Sequence, residues 1–177
     1  MTVTRFAPAH AGDDGVLVRT ARDGDEAAFG RLYERYARVV HGLLLARVPR
    51  ADVEDLVQEV FVTAWRNLRT LRDPAAFGGW LSIIARNRAT DYHRRSRDTV
   101  DLPDDLPAAE STSARAEALA VLETIRSLPE AYRETLVLRL VEGLTGPEIA
   151  QRTGLTAASV RVNLHRGMKL LREKLQR

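Results

Sequence analysis

The sequence of 177 residues contains no cysteine. This absence excludes disulfide bonds and metal sites built from thiolates. Its four histidines (His10, His41, His93 and His165) are widely spaced along the chain and do not form a metal-binding pattern. We therefore expect that the protein uses neither a metal ion nor any other cofactor.

Long apolar runs are also missing. No segment reaches the roughly 20 consecutive apolar residues that cross a bilayer, and the first residues lack the apolar core of a secretion signal. The sequence also has no glycine-rich phosphate loop and no carboxylate pair with a histidine nearby in sequence. We predict a cytoplasmic protein without a membrane span, which is not an enzyme and has no small-molecule substrate.

Lysine is rare, because only Lys169 and Lys174 of the 27 basic residues are lysines. Arginine suits bidentate contacts to phosphate and guanine, although codon bias would produce the same excess. The net charge is only +3, but the basic residues form two clusters. The first contains Arg86, Arg88, Arg94, Arg95 and Arg97, and the second contains Arg161, Arg166, Lys169, Arg172, Lys174 and Arg177.

An acidic segment separates the two clusters. Residues 98–113 include five acidic residues and two prolines, and they show no helical periodicity. We predict an extended linker over residues 97–113, between domains at residues 16–96 and 114–177, with residues 1–15 as a disordered lead. Two roles for this linker stay open: a plain tether, or an anionic strand that lies in a channel built for nucleic acid.

The first domain shows three amphipathic patterns with helical spacing. One predicts a helix from about Asp25 to Arg47, and the next predicts a helix that Asp52 caps. The apolar stripe of this second helix consists of Val53, Leu56, Val57, Val60, Phe61, Ala64 and Leu68. A third helix follows the turn at residues 72–74, with Phe77, Trp80, Leu81, Ile84 and Tyr92 on its buried face. We therefore predict an all-α fold of two small helical domains joined by an acidic extended linker, with most aromatic residues in the packing.

Residues 145–161 indicate a helix-turn-helix. Thr145 and Glu148 form a capping box with Pro147 between them, and Gly154 ends the first helix. Thr156 caps a second helix that would carry the groove-reading residues Ser159, Arg161, Asn163, His165 and Arg166. The alternative is an ordinary helical hairpin with a solvated basic face.

Three motifs in this order resemble one known family, the extracytoplasmic-function sigma factors of bacterial RNA polymerase. Residues 52–65 (DVEDLVQEVFVTAW) are similar to the core-binding helix of that family, and residues 80–95 (WLSIIARNRATDYHRR) to its −10 element-binding segment. Residues 128–134 (LPEAYRE) resemble the start of its −35-reading domain. The resemblance covers nearly the whole chain and implies two domains, a bundle and a helix-turn-helix.

For the core-binding helix, the resemblance implies contact with a coiled coil of the largest polymerase subunit. The matching positions are Asp55, Gln58, Glu59 and Phe61. The carboxylates would pair with an arginine-rich partner helix, and apolar contact would supply the desolvated centre of the interface. The alternative is a solvated acidic helix face.

For the −10 element, the resemblance implies that the first domain melts the duplex and holds single-stranded bases. The matching residues are Arg86, Asn87, Asp91, Arg94 and Arg95. The turn at residues 70–76 is expected to select the extruded base. Asp91 would either accept a hydrogen bond from a base or orient a neighbouring arginine, and we favour the second role.

For the −35 element, the second helix of the motif would enter the major groove. Its predicted DNA-binding residues are Ser159, Arg161, Asn163, His165, Arg166 and Lys169. Family members commonly carry serine and arginine where Val162 and Asn163 stand here, so the family's −35 sequence preference does not transfer.

The resemblance implies a sigma factor whose partners are core RNA polymerase, promoter DNA and an anti-sigma protein. One alternative is a stand-alone helix-turn-helix regulator that binds duplex DNA without polymerase, with the N-terminal helices serving dimerisation or ligand sensing. Another is a helical adaptor that touches no DNA, for which both arginine clusters would be solvated surface.

Overall fold

A computed structural model describes residues 11–98 and 113–176, and all regular structure in these two ranges is helical. Its α-helices are α1 (Ala11–Arg22), α2 (Glu26–Leu45), α3 (Val53–Asn67), α4 (Phe77–Asp98), α5 (Ser113–Arg126), α6 (Glu130–Leu140), α7 (Gly146–Thr153) and α8 (Ala157–Leu175). Short 3-10 turns lie at Arg50–Asp52, Leu68–Thr70 and Pro74–Ala76. The predicted all-α fold is confirmed. None of the helices in the described ranges is long and apolar enough to cross a bilayer.

Helices α1 to α4 form the N-terminal module, with α2 in contact with each of the other three. Asp25 caps α2 by accepting a hydrogen bond from the Ala28 amide (3.0 Å), close to the predicted start of this helix. Every residue of the apolar stripe predicted for α3 and its C-cap is buried. Burial of this stripe orients the opposite face of α3 toward solvent.

Helix α1 corrects the prediction that residues 1–15 form a disordered lead, because the chain is helical from Ala11. The buried carboxylate of Asp14 accepts hydrogen bonds from Arg35 and from the Tyr36 hydroxyl (2.7 Å). Leu17, Val18 and Ala21 of α1 are buried in the core. Three apolar residues give only a weak periodic signal for α1 in the sequence. The ion pair with Arg35 and the packing both depend on α2, so they can be recognised only in the folded structure. Residues 1–10 lie outside the described part.

Asp52 does not form the side-chain cap that the sequence predicts. Its carboxylate instead accepts a hydrogen bond from the Tyr92 hydroxyl (2.8 Å), which joins the start of α3 to α4. Tyr92 therefore contributes to the packing, as expected, and supplies a polar anchor as well.

Helices α5 to α8 form the C-terminal module, and its local structure confirms the helix-turn-helix prediction. Thr145 and Glu148 make a reciprocal capping box at the start of α7. Gly154 ends α7 with φ of 76°, a left-handed conformation that glycine adopts without strain. Thr156 caps α8 by accepting a hydrogen bond from the Ser159 amide (3.1 Å).

The ends of the predicted linker are helical, because α4 runs to Asp98 and α5 begins at Ser113. This corrects the predicted bounds of 97–113. No proline or glycine occurs between Trp80 and Pro103, so nothing in the sequence stops α4 at residue 96. Residues 99–112, which hold most of the predicted linker, lie outside the described part of the chain.

The two modules pack directly against each other through α2 with α6 and α4 with α7. Two glycines of the N-terminal module permit this approach. A Cβ atom on Gly42 would lie 2.7 Å from Cδ2 of Leu138, and one on Gly78 would lie 2.7 Å from the carbonyl oxygen of Arg152. The buried side chains of both modules consequently form one continuous cluster.

Candidate functional surfaces

The outer face of α3 carries the predicted core-binding polar residues. Asp55, Gln58 and Glu59 are all exposed, and their spacing places them together on the side opposite the buried stripe. Two carboxylates beside an amide can accept several charge-assisted hydrogen bonds from a basic helix.

Phe61, the fourth predicted core-binding residue, is only 4% exposed. Its ring packs against Tyr33 (centroid distance 4.5 Å) and Phe29 (6.4 Å). Since its surface is already covered, Phe61 supports neighbouring side chains more than it presents area of its own.

The exposed apolar area beside Phe61 comes from three residues that were not among the predicted binding residues. Val62 is 48% exposed, Tyr33 41% and Trp65 36%. Together with Phe29 and Glu26, Phe61, Val62 and Trp65 line a shallow groove of about 330 Å³. Val62 and Trp65 lie outside the buried stripe of α3, and this position in the periodic pattern was the sequence signal that could have identified them as exposed.

Arg88 connects α3 to α4 and was also missed. Its guanidinium lies 3.3 Å from Oε2 of Glu59 and donates a hydrogen bond to Oγ1 of Thr63 (3.1 Å). Glu59 is therefore held in place from the helix that carries the predicted −10 residues.

On α4, Asn87, Arg94 and Arg95 are exposed. Asp91 forms an ion pair with Arg94 (3.0 Å), one turn further along the same helix. This contact agrees with the favoured interpretation that Asp91 orients a neighbouring arginine. The turn at residues 70–76 precedes α4, and Asp73 accepts a hydrogen bond from the Ala75 amide within it (2.9 Å).

Arg86 differs from the other predicted −10 residues, because it faces the C-terminal module. Its Nε and Nη2 atoms donate to the two carboxylate oxygens of Glu134 on α6, at 2.8 and 3.0 Å. These hydrogen bonds raise the pKa of Arg86, and burial opposes them only in part. A phosphate can take the Nε–Nη2 edge of this guanidinium only if Glu134 moves away.

Helix α8 presents the predicted −35 residues on the side away from the core. Val160, Gly167 and Leu171 are buried against the rest of the module. A Cβ on Gly167 would come within 3.1 Å of both Tyr132 and Leu136, so this glycine lets α8 lie close to α6. The exposed residues on the other side are Ser159, Arg161, His165, Arg166 and Lys169, and Asn163 is half-buried.

Ser159 also has a structural role, because its hydroxyl accepts a hydrogen bond from the Thr156 side chain (2.8 Å). Ser159 therefore takes part in the cap of α8, whereas Arg161 and Arg166 are exposed further along the helix.

A histidine lies in the contact between the two modules. His41 Nδ1 is 2.7 Å from Oε1 of Glu142, and its Nε2 is 3.6 Å from Oε1 of Glu54. The hydrogen bond with Glu142 raises the pKa of His41, against an opposing effect of burial and a smaller one of Arg50. Arg38 also lies beside Glu142 (3.7 Å).

This arrangement predicts a pH-dependent contact between the modules. Because the pKa of His41 is raised when the modules touch, its contribution is complete below the ordinary histidine pKa and is lost as the pH rises through the raised value. We expect an NMR titration of the His41 ring to show a higher pKa in the wild type than in Glu142→Gln. Equal values in the two proteins would contradict the contact.

Comparison with known proteins assigns both modules. Residues 32–99 match the Sigma-70 region 2 family, and residues 118–171 match the Sigma-70 region 4 family. The ECF RNA polymerase sigma-E factor of Haemophilus influenzae is 33% identical over 181 residues, covering 92% of this chain and 95% of that protein. The Escherichia coli sigma-E factor is 33% identical over 185 residues, covering 92% of this chain and 94% of that protein.

Solved structures agree with this assignment. CnrH, solved in complex with the cytosolic domain of CnrY, is 30% identical to this chain with a TM-score of 0.65, over 93% of this chain and 97% of CnrH. The sigma factor RpoE of Bartonella quintana, solved with the anti-sigma factor NepR, shares the fold at 18% identity and a TM-score of 0.55, over 84% of this chain and 96% of that chain.

Two helical modules that carry sigma-70 regions 2 and 4 define a transcription initiation factor. The chain belongs to the extracytoplasmic-function (ECF) family of RNA polymerase sigma factors. It therefore binds core RNA polymerase and directs promoter-specific initiation. The alternative of a stand-alone regulator is not favoured, because it leaves the match to region 2 without a role.

Proposed function

We propose that the two modules divide the work of initiation between three surfaces. The face of α3 formed by Asp55, Gln58 and Glu59 docks on a basic helix of core polymerase, and the adjacent apolar area of Val62 and Trp65 supplies the desolvated centre. The observation that carries the proposal is the exposure of these acidic and apolar groups side by side on one helix.

The N-terminal module, α1 to α4, binds the −10 element through α4. Arg94, Arg95 and, after displacement of Glu134, Arg86 neutralise the backbone of the opened strand, while Asn87 hydrogen-bonds an extruded base. Base selection is assigned to the turn at residues 70–76. The match of residues 32–99 to region 2 supports this division of the chain.

The C-terminal module, α5 to α8, binds the −35 element with α8 in the major groove. Arg161 and Arg166 project from the exposed side of this helix, with His165 and Lys169 beside them. Neither module alone would bind a promoter tightly, but polymerase holds both and so raises the effective concentration of the second contact.

The chain itself performs no catalysis in this scheme, because polymerase supplies the chemistry, and both work in the cytoplasm, where the promoter DNA lies. An anti-sigma protein is expected to hold the factor inactive. The structure of the relative CnrH with a protein partner, the cytosolic domain of CnrY, supports this expectation.

In vitro transcription tests the proposed function directly. Purified chain and core polymerase are incubated with a fragmented genomic library, and the 5′ ends of the transcripts are mapped. We expect discrete start sites that share two upstream elements and that disappear when either the chain or the core enzyme is omitted. Failure to form holoenzyme, or tight binding of the chain alone to intact duplex, would contradict the proposal.

A further inference from the structure

One side of α6 carries an acidic stripe that contacts the N-terminal module. Glu130, Glu134, Leu138 and Glu142 recur every four residues, a spacing that places the first three on one side of α6 and Glu142 just past its end. We name these four residues the α6 stripe. Leu138 packs where Gly42 leaves space on α2.

Both ends of the α6 stripe are paired with cations of the N-terminal module. Arg47 of the loop after α2 contacts Glu130 (2.6 Å) and Glu134 together. At the other end, Glu142 meets His41 (2.7 Å), and its carbonyl oxygen accepts from Arg38.

Glu134 and Glu142 are each only 7% exposed, although carboxylates are rarely buried without a partner. Both carboxylates lie in the contact between the two modules, and the ion pairs described above offset the cost of removing these charges from water. The α6 stripe therefore fits the basic surface of the same chain. The contact also includes apolar packing, but water can solvate these carboxylates again once the modules separate, which lowers the cost of opening.

The contact occupies a group that promoter DNA needs. Glu134 engages Nε and Nη2 of Arg86, the bidentate edge of the guanidinium that a phosphate would otherwise take. The carboxylate thus stands in the position of a DNA phosphate.

The packed arrangement is also too small for a promoter. The −10 and −35 elements lie about 25 base pairs apart, roughly 85 Å along B-DNA. A compact chain of this length has a radius of gyration of about 16 Å, and hence a diameter of roughly 40 Å. A segment as long as residues 99–112 can reach at most about 50 Å when extended, which is enough to separate the modules.

We propose that the α6 stripe is an intramolecular latch, which holds the sigma factor closed through Arg47 and Arg86 until polymerase separates the modules. The closed form withholds the Nε–Nη2 edge of Arg86 from DNA and cannot engage both promoter elements. This proposal rests on the promoter roles assigned above to α4 and α8.

A reversible crosslink tests the latch. The double variant Gly42→Cys with Leu138→Cys brings two thiols together across the contact. A Cβ atom on residue 42 would lie 3.5 Å from the present position of Leu138 Cγ, which is close enough for a disulfide to form. No other thiol exists in the chain. We expect oxidation to lower the amount of transcript made with core enzyme at least about tenfold, because only open molecules can initiate. Reduction of the disulfide should restore transcription. Leu138→Cys alone is the control, because Gly42→Cys alone would keep Leu138 and crowd the contact.

The outcomes separate the latch from the proposed function. Equal transcription by the oxidised and reduced double variant overturns the latch but leaves the sigma function intact, and so does failure of the disulfide to form in the folded protein. If neither the reduced variant nor the wild type initiates, the promoter roles themselves fail.

A second variant decides the question if the cysteine pair does not fold. Glu134→Gln keeps the shape of the side chain but removes its charge, and Glu173→Gln, on the exposed side of α8, is the matched control. We expect Glu134→Gln to bind a single-stranded −10 oligonucleotide at least about threefold more tightly than the wild type in the absence of polymerase, and Glu173→Gln to match the wild type. Unchanged or weaker binding by Glu134→Gln overturns the latch.

Discussion

Replacing Arg161 and Arg166 with glutamate is expected to reduce initiation from −35-dependent promoters to less than about 1% of the wild-type level. A good bidentate contact to a base contributes about 1–3 kcal/mol of discrimination, so two such losses weaken binding by between ~30-fold and more than 10⁴-fold. The introduced carboxylates also repel the phosphates on either side of the groove. Single-round transcription with purified core enzyme on a mapped promoter measures the effect.

The matched control is Arg172→Glu with Lys174→Glu, which changes the net charge by the same amount on the last turns of α8. We expect this control to retain most activity, because both residues lie beyond Lys169, the last predicted DNA-binding residue, and Arg172 lies about one turn from it. Normal initiation by the Arg161/Arg166 variant would show that α8 does not read the −35 element. Equal loss in both variants would instead point to general attraction of DNA.

The features that sequence predicts well are those whose partners lie a few residues away. The capping box of Thr145 and Glu148 and the left-handed Gly154 all depend on local backbone geometry, and the structure confirms them. The stripe of α3 was equally clear, because seven apolar residues repeat at helical spacing. The exposed position of the acidic residues on α3 follows from the same periodicity.

The features that sequence did not predict depend on partners far along the chain. Asp52 was expected to cap α3, but Tyr92 lies 40 residues away and captures its carboxylate. Arg88 was counted among basic surface residues, whereas the fold brings it to Glu59 and Thr63. In each case a local role was chemically reasonable, and the tertiary contact replaced it.

The contact between modules is the largest such difference. The four-residue spacing of Glu130, Glu134, Leu138 and Glu142 was visible in the sequence. Acidic residues at this spacing on a helix usually mean a solvated face, and only the position of α2 and α4 shows that two of these glutamates are buried. Arg86 illustrates the consequence, since it matches a DNA-binding position and yet is occupied by the chain itself.

Reversing the charge of Asp55 and Glu59 to arginine is expected to abolish co-purification with core polymerase, with a loss of affinity of more than about 100-fold. Truncating one partner of a desolvated, hydrogen-bonded charge pair costs about 2–5 kcal/mol, and reversal adds repulsion from the basic partner helix. Both side chains lie off the buried stripe, so the N-terminal module should stay folded. Pull-down with tagged core enzyme measures the loss, and circular dichroism verifies the helices.

The control for this variant must account for Arg88, which lies 3.3 Å from Glu59 and would face a like charge after the reversal. Asp55→Arg alone leaves that pair intact and should still lose most of the affinity. Asp23→Arg with Glu34→Arg changes the net charge equally at exposed positions away from α3, and should bind core enzyme normally. Unchanged binding by the Asp55/Glu59 variant would remove α3 from the polymerase interface. Equal loss by the Asp23/Glu34 control would mean that overall charge, rather than the geometry of this face, determines docking.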